Sequence, residues 1–168
     1  MIRSMLYATD LSLYAPLVLQ HALSMARTFE ASLYVIHAVE PMGQFAKSVL
    51  ESYLDEATLD SLHHQGFRAA MATIENQVFD TFRQELGEGN PDLALISAVR
   101  VRQGDPWEVI LNQAQSLAVD LLVVGSHSHS RRDDTDLALG RTAARVLQMS
   151  PVPVYMVPLS HQPGRGKA

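Results

Sequence analysis

The chain has 168 residues, 47% of them hydrophobic and 18% charged, which suits one globular domain with a sizeable core. A formal net charge of −5 argues against a general nucleic-acid binder, whose contact face must be basic. The absence of cysteine excludes disulfides, thiol catalysis and cysteine-ligated metals, and no apolar run approaches the roughly 20 residues of a membrane span.

The opening residues Met1–Asp10 carry a single Arg and an apolar stretch too short for a secretory signal, so a cytoplasmic location is the default expectation. Ile2 to Ala8 reads as a first strand ending at Thr9-Asp10. Ser12 is placed to cap the helix that follows, and Pro16 is tolerable only in its first turn. That helix presents Leu17, Leu19, Ala22, Leu23 and Ala26 and ends near Phe29-Glu30. Ser32 to Val39 is a second strand, which completes a right-handed βαβ unit.

Glu40 to Lys47 is a loop, and Ser48 to Leu54 a short helix. A long helix is expected over Ala57 to Leu86, with Gly66 a candidate break. Phe67, Met71, Ile74, Val78, Phe82 and Leu86 fall on one of its faces. Gly87 to Asp92 stops it. A third strand over Ala98 to Arg102 alternates Val99 and Val101 with Arg100 and Arg102, the pattern of an edge strand. Asp105 and Pro106 open another helix, with Trp107, Ile110, Leu111, Ala114 and Leu117 inward.

Leu121 to Val124 is a short continuous apolar run stopping at Gly125, as a strand buried on both faces does. The polar run Ser126 to Asp136 cannot enter a core. Leu139, Ala143, Val146 and Leu147 then repeat at helical spacing, and Val152 to Val157 is a fifth strand behind Pro151 and Pro153. A glycine at the carboxyl end of a parallel strand, followed by a loop and a helix amino terminus, is a favourable setting for a phosphate.

Five strands alternating with helices define an α/β fold: a three-layer sandwich around a mainly parallel sheet. In the flavodoxin-like or Rossmann-like order 3-2-1-4-5, strands one and four are neighbours and their carboxyl ends form the ligand crevice. That topology brings Asp10 and Gly125 together. Residues 1–159 are expected to form one domain, and 160–168 a flexible tail rich in Pro, Gly and basic residues.

Ala8-Thr9-Asp10-Leu11-Ser12, His37-Ala38-Val39, Gly104-Asp105-Pro106, Asp120 to Gly125 and Pro151-Val152-Pro153-Val154 together resemble the universal stress protein family, over about residues 2 to 158. Members that bind ATP carry Gly, two residues, Gly, nine residues, Gly, then Ser or Thr. Gly125 and Gly140 match the outer glycines. The middle glycine is replaced by Ser128, counted from Gly125, or by Ser130, counted back from Gly140. The loop is two residues longer, and Arg141 takes the hydroxyl position with Thr142 one place later. Serine disfavours a left-handed backbone but offers a hydroxyl, and Arg141 can pair with a phosphate in two-pronged fashion.

The resemblance implies an adenine nucleotide such as ATP, with Mg²⁺ as a companion on its phosphates. Asp10, with Thr9 beside it, would contact the ribose or that metal. The backbone around Ala38 and Val39 would hold the adenine, and Gly125, Ser126, His127, Ser128, Ser130, Gly140, Arg141 and Thr142 would surround the phosphates. It also implies a homodimer joined through the C-terminal strand and a regulatory protein partner of undefined identity. At most slow hydrolysis is expected, because no general base can be named. The competing reading is a nucleotide-free dimeric docking module, like relatives without the glycine motif, with Phe45 to Leu86 as its partner surface.

Simpler readings stand beside these. Asp10 can serve as a cap, and Gly125 and Gly140 can serve tight turns and close packing. His127 and His129 lack a third ligand fixed by spacing, so no dedicated metal site is assigned. Asp133, Asp134 and Asp136 read better as a solvated loop than as Mg²⁺ ligands. His37 reads as a satisfied, buried strand-end histidine. A hydrolase triad lacks its Gly-x-Ser-x-Gly elbow.

Overall fold

The computed structural model describes residues 1–12, 14–41, 43, 48, 52, 55–57, 66–127 and 139–159. The elements run β1 (Ser4–Thr9), α1 (Ala15–Phe29), β2 (Ser32–Val39), α2 (Phe67–Leu86), a 3-10 helix (Pro91–Leu95), β3 (Ile96–Gln103), α3 (Pro106–Ser116), β4 (Leu121–Gly125), α4 (Arg141–Met149) and β5 (Val154–Val157). The sheet has the order β3-β2-β1-β4-β5, and every pairing is parallel. The expected α/β architecture and strand order are therefore present. Most of the stretch Ser48 to Leu54 read as a short helix, most of the stretch from there to Gly66, and the tail from Ser160 lie outside the described residues.

Because successive strand side chains point to opposite faces, each strand feeds two cores. Met5, Tyr7, Leu33, Val35, Leu121 and Val123 face one side, where Val18, Leu19, Ala22 and Leu23 of α1 and Val78 and Phe82 of α2 cover them. Leu6, Ile36, Leu122 and Val124 face the other, against Ile110 and Ala114 of α3 and Val146 of α4. The Tyr7 hydroxyl donates to the Ala15 carbonyl at 3.0 Å, tying β1 to the first turn of α1, and burial pushes its phenol far above the ordinary range.

Several local expectations need correcting. Ser12 does not cap α1. Its hydroxyl accepts from Tyr14 N at 3.3 Å and its carbonyl from Ala15 N at 3.0 Å, so it closes a separate turn ahead of the helix. Leu11, in the left-handed region at φ 57°, makes that turn. Asp105 occupies the N-cap position of α3, but its side chain makes no capping bond; Pro106 takes the first turn as expected. β1 and β5 start later than read, at Ser4 and Val154, because pairing with Ser32 and with Leu122 begins there. β3 is longer at both ends and lies at the sheet edge as its alternation predicts.

The last helix begins at Arg141, not near Leu139. Leu139 precedes the helix and escapes its periodicity. Leu147 sits about 100° from the buried Val146, so both leucines stay exposed at 39%. The strand-five side chains Val152, Val154 and Met156 pack in part against the α3–α4 core.

One anchor escapes sequence reading. Oδ2 of Asp120 accepts from Arg3 N at 2.8 Å, Ser4 N at 3.0 Å and the Ser4 hydroxyl at 3.2 Å, which pins the start of β1 beside β4. The two backbone donors hold this exposed carboxyl below its usual range. Its stabilising contribution is therefore full above the unfolded-state pKa and is lost as pH falls through the folded one. Asp120→Asn is expected to lower the urea midpoint at neutral pH, and the gap to the parent chain should close in acid; a gap independent of pH would contradict the assignment.

Candidate functional site

The β1–β4 register pairs Tyr7 with Val123, so two residues further along come Thr9 and Gly125, side by side at the strand ends. Thr9 is buried, with 6% of its surface exposed. Its hydroxyl accepts from Leu11 N at 3.1 Å, and its carbonyl lies 2.9 Å from His37 Nδ1. A carbonyl can only accept, so Nδ1 carries the proton and Nε2 is the acceptor of the neutral ring. His37 is thus satisfied as expected, though half-buried rather than buried, and it fixes the Thr9 peptide that leads into Asp10. The exposed Asp10 carboxylate accepts from Ser12 N at 3.0 Å, a local turn that aims the residue out of the strand end.

On the far side of β1, Ala38 and Val39 end β2 opposite Arg102 and Gln103. The Val39 carbonyl is already engaged by Gly104 N at 3.0 Å. Gly104 has φ 153°, and a Cβ there would lie 2.8 Å from Val109 Cγ2, so only glycine suits this turn.

Gly125 has a packing duty. A Cβ at this position would meet Leu159 Cδ1 at 2.8 Å and Val18 Cγ2 at 3.4 Å. Ser126 is the junction of the region and is 4% exposed. Its N–H donates to the Val157 carbonyl at 3.0 Å, and its carbonyl accepts from Gly140 N at 2.9 Å. Its hydroxyl accepts from Leu159 N at 2.8 Å and lies 2.7 Å from His127 Nδ1, to which it can donate. Ser126 therefore holds β4, β5 and the approach to α4 together through its backbone, while its hydroxyl is committed to Leu159 and His127. Sequence reasoning missed this role, because none of the partners except His127 is local.

Gly140 is the N-cap of α4 at φ −56° and ψ 147°, a conformation open to any residue. Its carbonyl accepts the first helical bond, from Ala144 N at 2.9 Å. Helix geometry therefore leaves the N–H groups of Arg141, Thr142 and Ala143 without intrahelical acceptors, at the positive end of the dipole. Arg141 is exposed and Thr142 half-buried. Ser128, Ser130, His129 and the aspartates at 133, 134 and 136 lie outside the described residues. Among the described residues, no three His, Asp or Glu side chains form a metal-holding group, and no helix is long and apolar enough to cross a membrane.

A five-stranded parallel sheet in the order β3-β2-β1-β4-β5, with helices on both faces, defines the class of doubly wound α/β proteins. Within that class the universal stress protein family model matches residues 1–158, and the chain belongs to that family. It is 27% identical over 162 residues to universal stress protein YxiE of Bacillus subtilis, covering 94% of this chain and 99% of that one. Universal stress protein UspA from Lactobacillus plantarum superposes with a TM-score of 0.61 at 19% identity, covering 93% of this chain and 97% of that one. A universal stress protein solved in complex with cAMP superposes with a TM-score of 0.55 at 18% identity, covering 95% and 98% of the two chains.

Proposed function

We propose that this chain is a cytoplasmic regulator that binds ATP or another adenine nucleotide at the ends of β1 and β4, and that it works as a homodimer joined through β5. What carries the proposal is one juxtaposition: the Asp10 turn and Gly125 lie at adjacent strand ends, and Ser126 draws the α4 amino terminus to the same end through Gly140. An anion at that helix terminus would meet free N–H groups and a favourable dipole. The capture of a chain of this fold with cAMP supports an adenine ligand. Phosphates would sit toward Gly140, Arg141 and Thr142, and the adenine toward Ala38 and Val39. Asp10 would take the ribose or a Mg²⁺ carried on the phosphates. No described side chain is set as a general base, so hydrolysis would be slow.

The dimer is favoured by the β5 edge. Leu122 N bonds the Pro153 carbonyl and Ser126 N bonds that of Val157, so Pro153, Tyr155 and Val157 direct their backbone groups to β4. The backbone groups of Val154 and Met156 then point away from the sheet, ready to pair with another strand. Exposed Leu17, Tyr155, Leu147 and Met149 add apolar surface on the neighbouring elements.

The test is thermal unfolding with and without ATP-Mg²⁺, with the heat of titration measured beside it. At a ligand concentration of 100 Kd the stabilisation is about 2.7 kcal/mol, a rise of roughly 5–10 °C for a domain of this size. Asp10→Ala should remove most of that rise. It should change the unliganded Tm by only about 2 °C, because Asp10 is exposed and bonded only locally. Neither heat nor stabilisation with the parent chain would refute the nucleotide reading.

A further inference from the structure

The opposite edge of the sheet is capped at Val101. In a parallel sheet, alternate residues of an edge strand turn both backbone groups outward, where a foreign strand can pair with them. At β3, Val101 is such a residue. Its N–H donates to Oε1 of Glu75, on α2, at 2.9 Å. Its carbonyl accepts from the Arg102 guanidinium at 2.9 Å. The same guanidinium nitrogen lies 3.3 Å from the same Glu75 oxygen. A carboxylate and a guanidinium, already paired, thus take the donor and the acceptor that a neighbouring strand would use.

We infer that the Glu75–Arg102 pair is an edge clamp that bars strand addition at β3 and leaves β5 as the edge where a second copy can join. The assembly then stops at two chains, whereas a sheet open at both edges can go on adding copies. Stability alone does not account for the arrangement, because an ion pair with Arg102 51% exposed contributes little. Its placement on both outward groups of one residue is what blocks pairing. The limit of two chains rests on the homodimer proposed above; the clamp itself does not.

The chain to use is the full protein carrying Glu75→Ala, with Arg102→Ala as a second route to the same loss and Glu75→Gln as a conservative control that keeps an acceptor. Two readouts separate the claims. Amide exchange at Val101 should accelerate about tenfold or more in Glu75→Ala, while the inward-facing amide of Arg100 keeps its protection. Sedimentation across a range of concentrations should show the folded Glu75→Ala and Arg102→Ala chains forming larger species than the parent, with Glu75→Gln behaving as the parent does. Folded Glu75→Ala with unchanged Val101 exchange, or folded alanine variants with unchanged size, would overturn the clamp. A parent chain that stays single while Glu75→Ala pairs would uphold the clamp and refute the homodimer. A paired parent with no change in either alanine variant would do the reverse.

Discussion

Phe82→Ala is expected to cost about 3–5 kcal/mol of folding free energy, the largest loss foreseen for a single side chain here. Phe82 is 2% exposed and lies in the α1–α2 core with Val78. Along α2 these two are the fully buried apolar anchors among the described side chains, with Ile74, Phe79 and Leu86 only partly covered. Removing the ring leaves a cavity between α2 and the sheet that neighbours fixed by the β-ladder cannot fill. A domain of ordinary stability has about 5–15 kcal/mol to lose, so a large share would go. The check is urea unfolding: the midpoint should fall while the slope is kept, with half-buried Phe79→Ala showing a smaller fall. A midpoint that stays in place for Phe82→Ala would mean that α2 is anchored elsewhere.

Met156→Pro should turn a paired protein into single chains. The backbone N–H of Met156 faces away from β4, so its loss takes nothing from the ladder that builds the sheet. A proline here also suits the strand, because the residue before it, Tyr155, is already extended. The missing donor and the added ring fall where a second chain would pair. Tyr155→Pro is the contrast: it removes an inward donor and should damage folding instead. Analytical ultracentrifugation at matched concentrations decides the matter. A dimer that survives Met156→Pro with unchanged affinity would exclude pairing through β5.

The parts of this fold legible in the sequence are those specified by local chemistry. The bounds of β2, Ser32 to Val39, are legible because a β-prone run begins just after a helix that stops at Glu30, in the left-handed region at φ 52°. The alternation of strands and helices is enough for a parallel α/β sheet, and the flavodoxin-like order brings the Thr9-Asp10 end of β1 to Gly125. What eluded the sequence depends on distant partners. β1 starts at Ser4 because Asp120 and Ser32 meet it there. Ser126 reads as a loop serine until Leu159, 33 residues away, is found on its hydroxyl. The close packing that the sequence allows at Gly125 has a distant partner, Leu159, which no local pattern names. Ser12 and Asp105 carry good capping chemistry that the turn geometry does not use. The edge clamp has no sequence signature, because Glu75 and Val101 belong to different elements.

Ser126 holds Val157 through its amide and Gly140 through its carbonyl, so a single peptide segment bridges the helix terminus proposed to meet phosphate and the strand proposed to join two chains. A shift of the α4 terminus toward a bound anion must pull on the same residue that seats β5. Reciprocity then ties the two equilibria: whatever factor a nucleotide imposes on subunit affinity, subunit pairing imposes on nucleotide affinity. Under the proposed function, such a chain would read the level of its nucleotide as a change in its own stoichiometry, with no catalytic step required.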